Sequence, residues 1–282
     1  MLFDGKAFVK EKEEKLKKRV EELRQKGVTP RLVSILADDS KESALYVSLK
    51  AKFSQRIGVA FEVHQFAPRT DTEKIIAEIE RANADPSVQG IMVQLPVEDQ
   101  ERIVSAISPL KDIDCLTAEN LGLIMIGRPR FLPATVRAVI EIIQNSKFKI
   151  QSFDEKWLRG VDVCIIGASI IVGKPLSILL SDAGATVTIC RSTTENLPEY
   201  TRRADILVSA TGAADLVKKE MVKEEAIIID VGISKLLRDG KFRVVGDVSK
   251  DVAKKVSFLT PVPGGVGPVT VACLFENLLL TL

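Results

Sequence analysis

Apolar, β-branched runs of strand length alternate along this chain with longer segments of helical period. That alternation constrains the fold more than any other feature. Arg31 to Ala37 is β-rich and leads to a helix that begins near Ser40 and stops at Gly58. Val59 to Phe66 reads as a strand, Asp71 to Asn83 as a helix, and Val88 to Leu95 as a strand closed by Pro96. Strand and helix in turn require crossover connections, and so predict an α/β fold with a mostly parallel sheet covered by helices on both faces. Ahead of this, Lys6 to Lys26 is a charged helix whose buried stripe is Val9, Leu16, Val20 and Leu23.

From Ser108 to about Arg130 the pattern loosens, punctuated by Pro109, Gly122, Gly127 and Pro129, and is expected to be the passage between two domains. A helix over Pro133 to Asn145 leads into a second alternation. Strands are expected at Val161–Gly167, Ala185–Cys190, Asp205–Ala210 and Ala226–Val231, with a short one at Val244-Val245 and a helix over Gly173–Ala183. The final apolar stretch, Val269 to Leu280, is long enough for a helix. The expected organisation is a first α/β domain over 1–118, a Rossmann-like, doubly wound domain over 119–268, and a last helix (269–282) packing back on the first.

Charge argues for a small-molecule partner. Lys and Arg total 40 against 38 Asp and Glu, a net of +2, which gives no electrostatic reason to expect nucleic acid or a membrane surface. The N-terminus lacks the apolar core of a signal peptide and no run reaches the length of a membrane span, so the cytoplasm is the expected location. Cys115, Cys164, Cys190 and Cys273 form no C-x-x-C pair, and His64 is the only histidine, so no metal site is expected.

The strand Val161–Gly167 ends on glycine, continues through Ala168-Ser169-Ile170-Ile171-Val172-Gly173, and opens a helix at Lys174-Pro175. Outward backbone N–H groups and the helix dipole make such a turn suited to a pyrophosphate, and proline fits a first helical turn. Ser169 and Val172 stand where G-x-G-x-x-G has its second and third glycines, and alone this could be an ordinary βα connection. Ala210-Thr211-Gly212 and Asp230-Val231-Gly232-Ile233 also end strands on small-residue turns, where ligands of open α/β sheets sit. The second strand of the unit runs into Arg191-Ser192-Thr193-Thr194. A guanidinium and hydroxyls suit a ribose 2′-phosphate better than a free 2′-hydroxyl, so NADP is favoured, with NAD as the alternative.

Tyr46 and Lys50 stand four apart on the second helix and share a face, a spacing that an ordinary solvated helix edge also shows. Three further segments accompany them. Asp85 to Pro96 (D-P-S-V-Q-G-I-M-V-Q-L-P) offers the amide of Gln94 before a rigid turn. Lys111-Asp112-Ile113-Asp114 brings carboxylates, and Thr260 to Pro268 (T-P-V-P-G-G-V-G-P) combines shaping prolines with glycines open to a ligand. Together with the dinucleotide turn, these segments resemble the bifunctional methylenetetrahydrofolate dehydrogenase/methenyltetrahydrofolate cyclohydrolase family over essentially the whole chain.

The resemblance implies oxidation of 5,10-methylenetetrahydrofolate with NADP+, then hydrolysis of the methenyl product to 10-formyltetrahydrofolate. It implies Lys50 as catalytic lysine, Gln94 as its orienting amide, Asp114 as the pterin carboxylate and Tyr46 as a stacking ring. Pro261, Gly264 and Gly265 would also contact the folate, and Gly167, Ala168, Ser169, Arg191, Ser192 and Ile233 would hold the dinucleotide. It further implies a homodimer formed through the dinucleotide domain.

The chain departs from the family pattern in four places. Ala168 stands where arginine is usual and Arg191 where histidine is; Cys115-Leu116 replaces glycine and an aromatic; Pro133-Ala134-Thr135-Val136 replaces P-C-T-P. The first two bear on NADP against NAD, and the others on the folate pocket. The alternatives are a monofunctional methylenetetrahydrofolate dehydrogenase, a two-domain dehydrogenase of a small acid such as shikimate, and a nucleotide sensor without catalysis.

Overall fold

The structure is a computed structural model and describes residues 1–146, 156–238 and 241–282. The chain divides into two compact units. One comprises Val9–Ala134 with Val271–Leu282, here the Lys50 unit; the other comprises Met1–Phe8 with Thr135–Thr270, here the Gly167 unit. The unit boundaries fall inside two helices, α1 (Gly5–Gln25) and α9 (Val266–Leu280).

In the Lys50 unit, β1 (Arg31–Leu36), β2 (Ala60–Gln65) and β3 (Gly90–Gln94) form a parallel sheet of order β2-β1-β3. Leu32 pairs with Gly90 and Leu36 with Gln94, so Gln94 ends its strand level with the carboxyl end of β1. Each crossover is a helix with its own start signal. The Ser40 hydroxyl accepts the Ser43 N–H to cap α2 (Lys41–Ile57), and Gly58 closes it with φ 84°. The Asp71 carboxylate accepts the Glu73 N–H to start α3 (Thr72–Ala84). Val33 and Ile35 of β1, Ile91 and Val93 of β3 and Ile75, Ile79 and Ala82 of α3 make one core cluster. Burying each of the large aliphatic chains contributes roughly 1.5–3 kcal/mol. The α1 stripe is buried at Val9, Leu16, Val20 and Leu23, the four positions expected.

Residues 108–130 are more regular than expected. After the short α4 (Gln100–Ser105), α5 (Ala118–Met125) forms with Thr117 as its cap, the Thr117 hydroxyl accepting the Asn120 N–H. Gly122 sits inside this helix, and its punctuating look in the sequence concealed the element.

The Gly167 unit contains nearly all of α6 (Ala134–Asn145) and holds a five-stranded parallel sheet of order β10-β7-β6-β4-β5. Its strands are β4 (Asp162–Ile166), β5 (Thr186–Cys190), β6 (Ile206–Ser209), β7 (Ile227–Asp230) and β10 (Phe258–Leu259), with helices α7 (Gly173–Asp182) and α8 (Leu197–Thr201) between them. Strand order reverses at β4, which has β5 on one side and β6 on the other. A reversal of this kind opens a crevice beyond the strands' carboxyl ends.

The expected lone strand at Val244-Val245 is instead half of an antiparallel hairpin, β8 (Ser234–Arg238) with β9 (Lys241–Val245). Ser234-Lys235-Leu236-Leu237-Arg238 lacks the strict alternation that marks a half-buried strand, so it carried no strand signal.

Candidate active site

In the Lys50 unit, the capped start of α2 fixes the phase of its turns and puts Tyr46 and Lys50 on one partly buried face. Lys50 Nζ donates to Gln94 Oε1 at 2.9 Å, and Gln94 Nε2 donates to the Leu95 carbonyl at 3.2 Å, which sets the amide's orientation. Burial lowers the Lys50 pKa from the ordinary lysine value, opposed by the negative charge of Asp114. Burial raises the Asp114 pKa; the charge of Lys50 lowers it and that of Asp112 raises it again. Both groups are thus pushed toward their neutral forms. Burial also raises the Tyr46 phenol. The structure therefore assembles an amine with reduced proton affinity, an amide acceptor for one of its N–H bonds, and a carboxyl group.

In the Gly167 unit, β4 ends at Ile166 and Gly167 follows with φ 112°, a left-handed conformation that favours glycine. Its N–H donates to the Cys190 carbonyl at 2.8 Å, so the turn stays in register with the end of β5. The Val172 N–H donates to the Ser169 hydroxyl at 3.1 Å and the Lys174 N–H to the Ser169 carbonyl at 3.0 Å. A Cβ at Gly173 would lie 1.9 Å from the Gly167 carbonyl oxygen, so only glycine lets α7 start this close to the turn. Arg191 follows the last residue of the neighbouring strand and is exposed. Its backbone N–H donates to Thr194 Oγ1 at 2.9 Å, folding Arg191 to Thr194 into a small loop beside the Gly167 turn. Among the dinucleotide residues expected from the sequence, Gly167, Ala168, Ser169, Arg191 and Ser192 thus share one edge of the sheet. Ile233 stands after β7, 43% exposed.

A buried aspartate organises this edge and was missed in the sequence. Asp247, fully buried, accepts the Ser209 hydroxyl and both the N–H and hydroxyl of Thr211, each at 2.8 Å, and so secures the turn after β6. Asp230 accepts the N–H groups of Asp247 and Val248 at 3.0 Å, and burial raises its pKa to about 7 against the lowering effect of those bonds. An aspartate after glycine at a strand end looks like any turn, so only its burial distinguishes it. Thr260 Oγ1 accepts the Asp230 N–H at 2.7 Å, anchoring the segment that carries Pro261, Gly264 and Gly265 in this same unit. The expected folate residues are therefore divided, with Tyr46, Lys50, Gln94 and Asp114 in the Lys50 unit.

Comparison with known proteins decides the family. Residues 3–114 match the tetrahydrofolate dehydrogenase/cyclohydrolase catalytic domain, and 133–282 match the NAD(P)-binding domain of the same family. This chain belongs to the tetrahydrofolate dehydrogenase/cyclohydrolase family. The bifunctional protein FolD of Nautilia profundicola is 42% identical over 281 residues, covering 98% of this chain and 95% of the relative. The crystal structure of bifunctional FolD from Campylobacter jejuni superposes with a TM-score of 0.92 at 39% identity, over 100% of this chain and 98% of the other. The Trypanosoma brucei dehydrogenase-cyclohydrolase, solved with NADP and an inhibitor, gives 0.93 at 35% identity, over 100% and 96%. The family resemblance read from the motifs holds, as does the two-domain α/β fold. Within the tetrahydrofolate dehydrogenase/cyclohydrolase family, this chain combines the Lys50–Gln94 pair with alanine at 168 and arginine at 191.

Proposed function

We propose that this chain oxidises 5,10-methylenetetrahydrofolate to the 5,10-methenyl cation with NADP+ and then hydrolyses that cation to 10-formyltetrahydrofolate. The observation that carries the proposal is the Lys50–Gln94 hydrogen bond on a lysine whose proton affinity burial reduces. Bound NADP+ would supply the hydride acceptor, and the Gly167 turn and Arg191 fit such a ligand by close backbone approach and by charge. Hydride leaves without a proton, so the protein's part in oxidation is to orient the folate. Asp114 suits the donor pair of a pterin's amino group and ring N–H, and Tyr46 offers a ring to stack on.

Ring opening adds water to the methenyl carbon and releases a proton. Neutral Lys50 can take that proton from the attacking water. Gln94 supports this role because its Oε1 orients an N–H of the amine without adding negative charge, leaving the lone pair free to accept. Domain roles follow: folate chemistry in the Lys50 unit and dinucleotide binding in the Gly167 unit. Four free, buried thiols support a place in the cytoplasm.

The proposal is tested by dinucleotide reduction that requires methylenetetrahydrofolate. Shikimate or other small hydroxy acids should give none, and reduction with an acid but without the folate would overturn it. Asp114→Ala should weaken folate binding by about 1–3 kcal/mol while dinucleotide binding, measured by titration, stays as it was. Equal loss for both ligands would contradict a pterin contact.

The β8–β9 hairpin supports a homodimer through the dinucleotide unit. Leu237 and Phe242 pair across the ladder and are 63% and 74% exposed, an apolar pair better covered by a second copy than by water. Leu237→Lys with Phe242→Asp should give monomers in light-scattering chromatography, and unchanged dimers would place the interface elsewhere.

A further inference from the structure

Asp114 is carried on a short arch that the chain holds from two sides. On one side, the buried Asp112 carboxylate accepts the N–H of Leu116 at 3.1 Å and of Thr117 at 2.8 Å, and the Asn120 amide at 2.9 Å. On the other, fully buried Asn277 of α9 donates through Nδ2 to the Ile113 carbonyl at 2.8 Å and to the Leu132 carbonyl at 2.7 Å. The Ile113 carbonyl is the backbone group immediately before Asp114. Between the two holds, Cys115 has φ 59°. A non-glycine residue in the left-handed region is strained, and such strain persists only where the surroundings impose it.

The same stretch of α9 reaches the strand that carries Gln94. A Cβ at Gly90, the first residue of β3, would lie 2.6 Å from Leu278 and 3.0 Å from Ile113. Strand, arch and helix thus pack with no room for one methyl group, and Phe275 stacks on Phe53 of α2 with ring centroids 5.4 Å apart. Helix α9 therefore touches α2, β3 and the arch, the three elements bearing Lys50, Gln94 and Asp114.

We infer that Asn277 is a positioning residue for the folate reaction: its amide, opposite Asp112, holds the arch so that a strained Cys115 can present Asp114 toward Lys50. This rests on the function proposed above. The division of labour is physical. The buried Ile113 carbonyl and the partly buried Leu132 carbonyl take their bonds from a single side-chain NH2, which ties residues 113 and 132 to one point. Without it the arch can relax toward a conformation that residue 115 prefers, carrying the Asp114 carboxylate away. Glycine at 115 would need no such hold.

The experiment compares the full-length protein with Asn277→Leu and with the double variant Asn277→Leu/Cys115→Gly. Asn277→Leu should raise KM for methylenetetrahydrofolate about tenfold while kcat for hydride transfer and KM for NADP+ stay close to wild type. The acid limb of the ring-opening profile should move to lower pH, because Lys50 loses the nearby charge that raises its pKa. Adding Cys115→Gly should recover part of both changes. A lowered Tm with unchanged folate KM and pH profile would overturn the inference, as would a double variant no better than the single one. If Asn277→Leu does not fold, Asn277→Ala, whose smaller side chain admits water to the carbonyls, is read by the same criteria. Wild-type protein inactive on both folates would instead refute the proposed function, which keeps the two failures apart.

Discussion

Lys50→Met should reduce ring opening of added methenyltetrahydrofolate by roughly 10²–10⁴-fold, the usual worth of a positioned general base. Methionine keeps the length and much of the apolar packing of the lysine stem, so the loss reports the amine. The methenyl absorbance is followed directly, after subtraction of the spontaneous reaction, and wild-type rates in the variant would refute the role. The neighbouring amide gives a second, signed result. Gln94→Glu replaces a neutral acceptor with a carboxylate, which stabilises the ammonium form of Lys50 and raises its pKa. Ring opening at neutral pH should fall and its acid limb should shift to higher pH, opposite to the shift expected for Asn277→Leu.

Arg191→Ala should weaken NADP+ by one to two orders of magnitude and leave NAD+ nearly unchanged. A guanidinium hydrogen-bonded to a phosphate contributes about 1.5–3 kcal/mol, and about 1.4 kcal/mol is a factor of ten. Arg191 follows the last residue of β5, beside the Gly167 turn, and its loop is folded by the hydrogen bond to Thr194. Ala168, on the adjacent strand end, supplies no charge of its own. Equal losses for the two cofactors, or none for either, would show that Arg191 does not select between them.

Much of the fold could be read from the sequence because its signals are local. Ser40, Gly58 and Asp71 start and stop helices through their own hydrogen bonds or backbone angles, and the strand runs of both sheets are dense in Val, Ile and Leu. What escaped was what depends on pairing, capping or burial and leaves no periodic pattern in the sequence. The β8 strand exists because it pairs with β9, and α5 forms around an internal glycine under a threonine cap. The candidate site divides in the same way. Tyr46, Lys50 and Gln94 lie in motifs whose spacing is visible, and the structure joins Lys50 to Gln94. Asp247 and Asn277 carry no such mark. One is an acid after a glycine and the other an amide within the apolar run Leu274-Phe275-Glu276-Asn277-Leu278, and their roles become visible only through burial and the groups they bond.

The most direct test of the whole account is a single progress curve. Purified protein is mixed with methylenetetrahydrofolate and NADP+, with NAD+ in a parallel run, and NADPH, methenyl- and 10-formyltetrahydrofolate are followed together. The account predicts NADPH and 10-formyltetrahydrofolate rising in equal amounts, little free methenyl intermediate, and slower reaction with NAD+. NADPH accompanied by methenyltetrahydrofolate that opens only at its spontaneous rate would contradict a second activity in this chain, and no reduction with either dinucleotide would contradict the first.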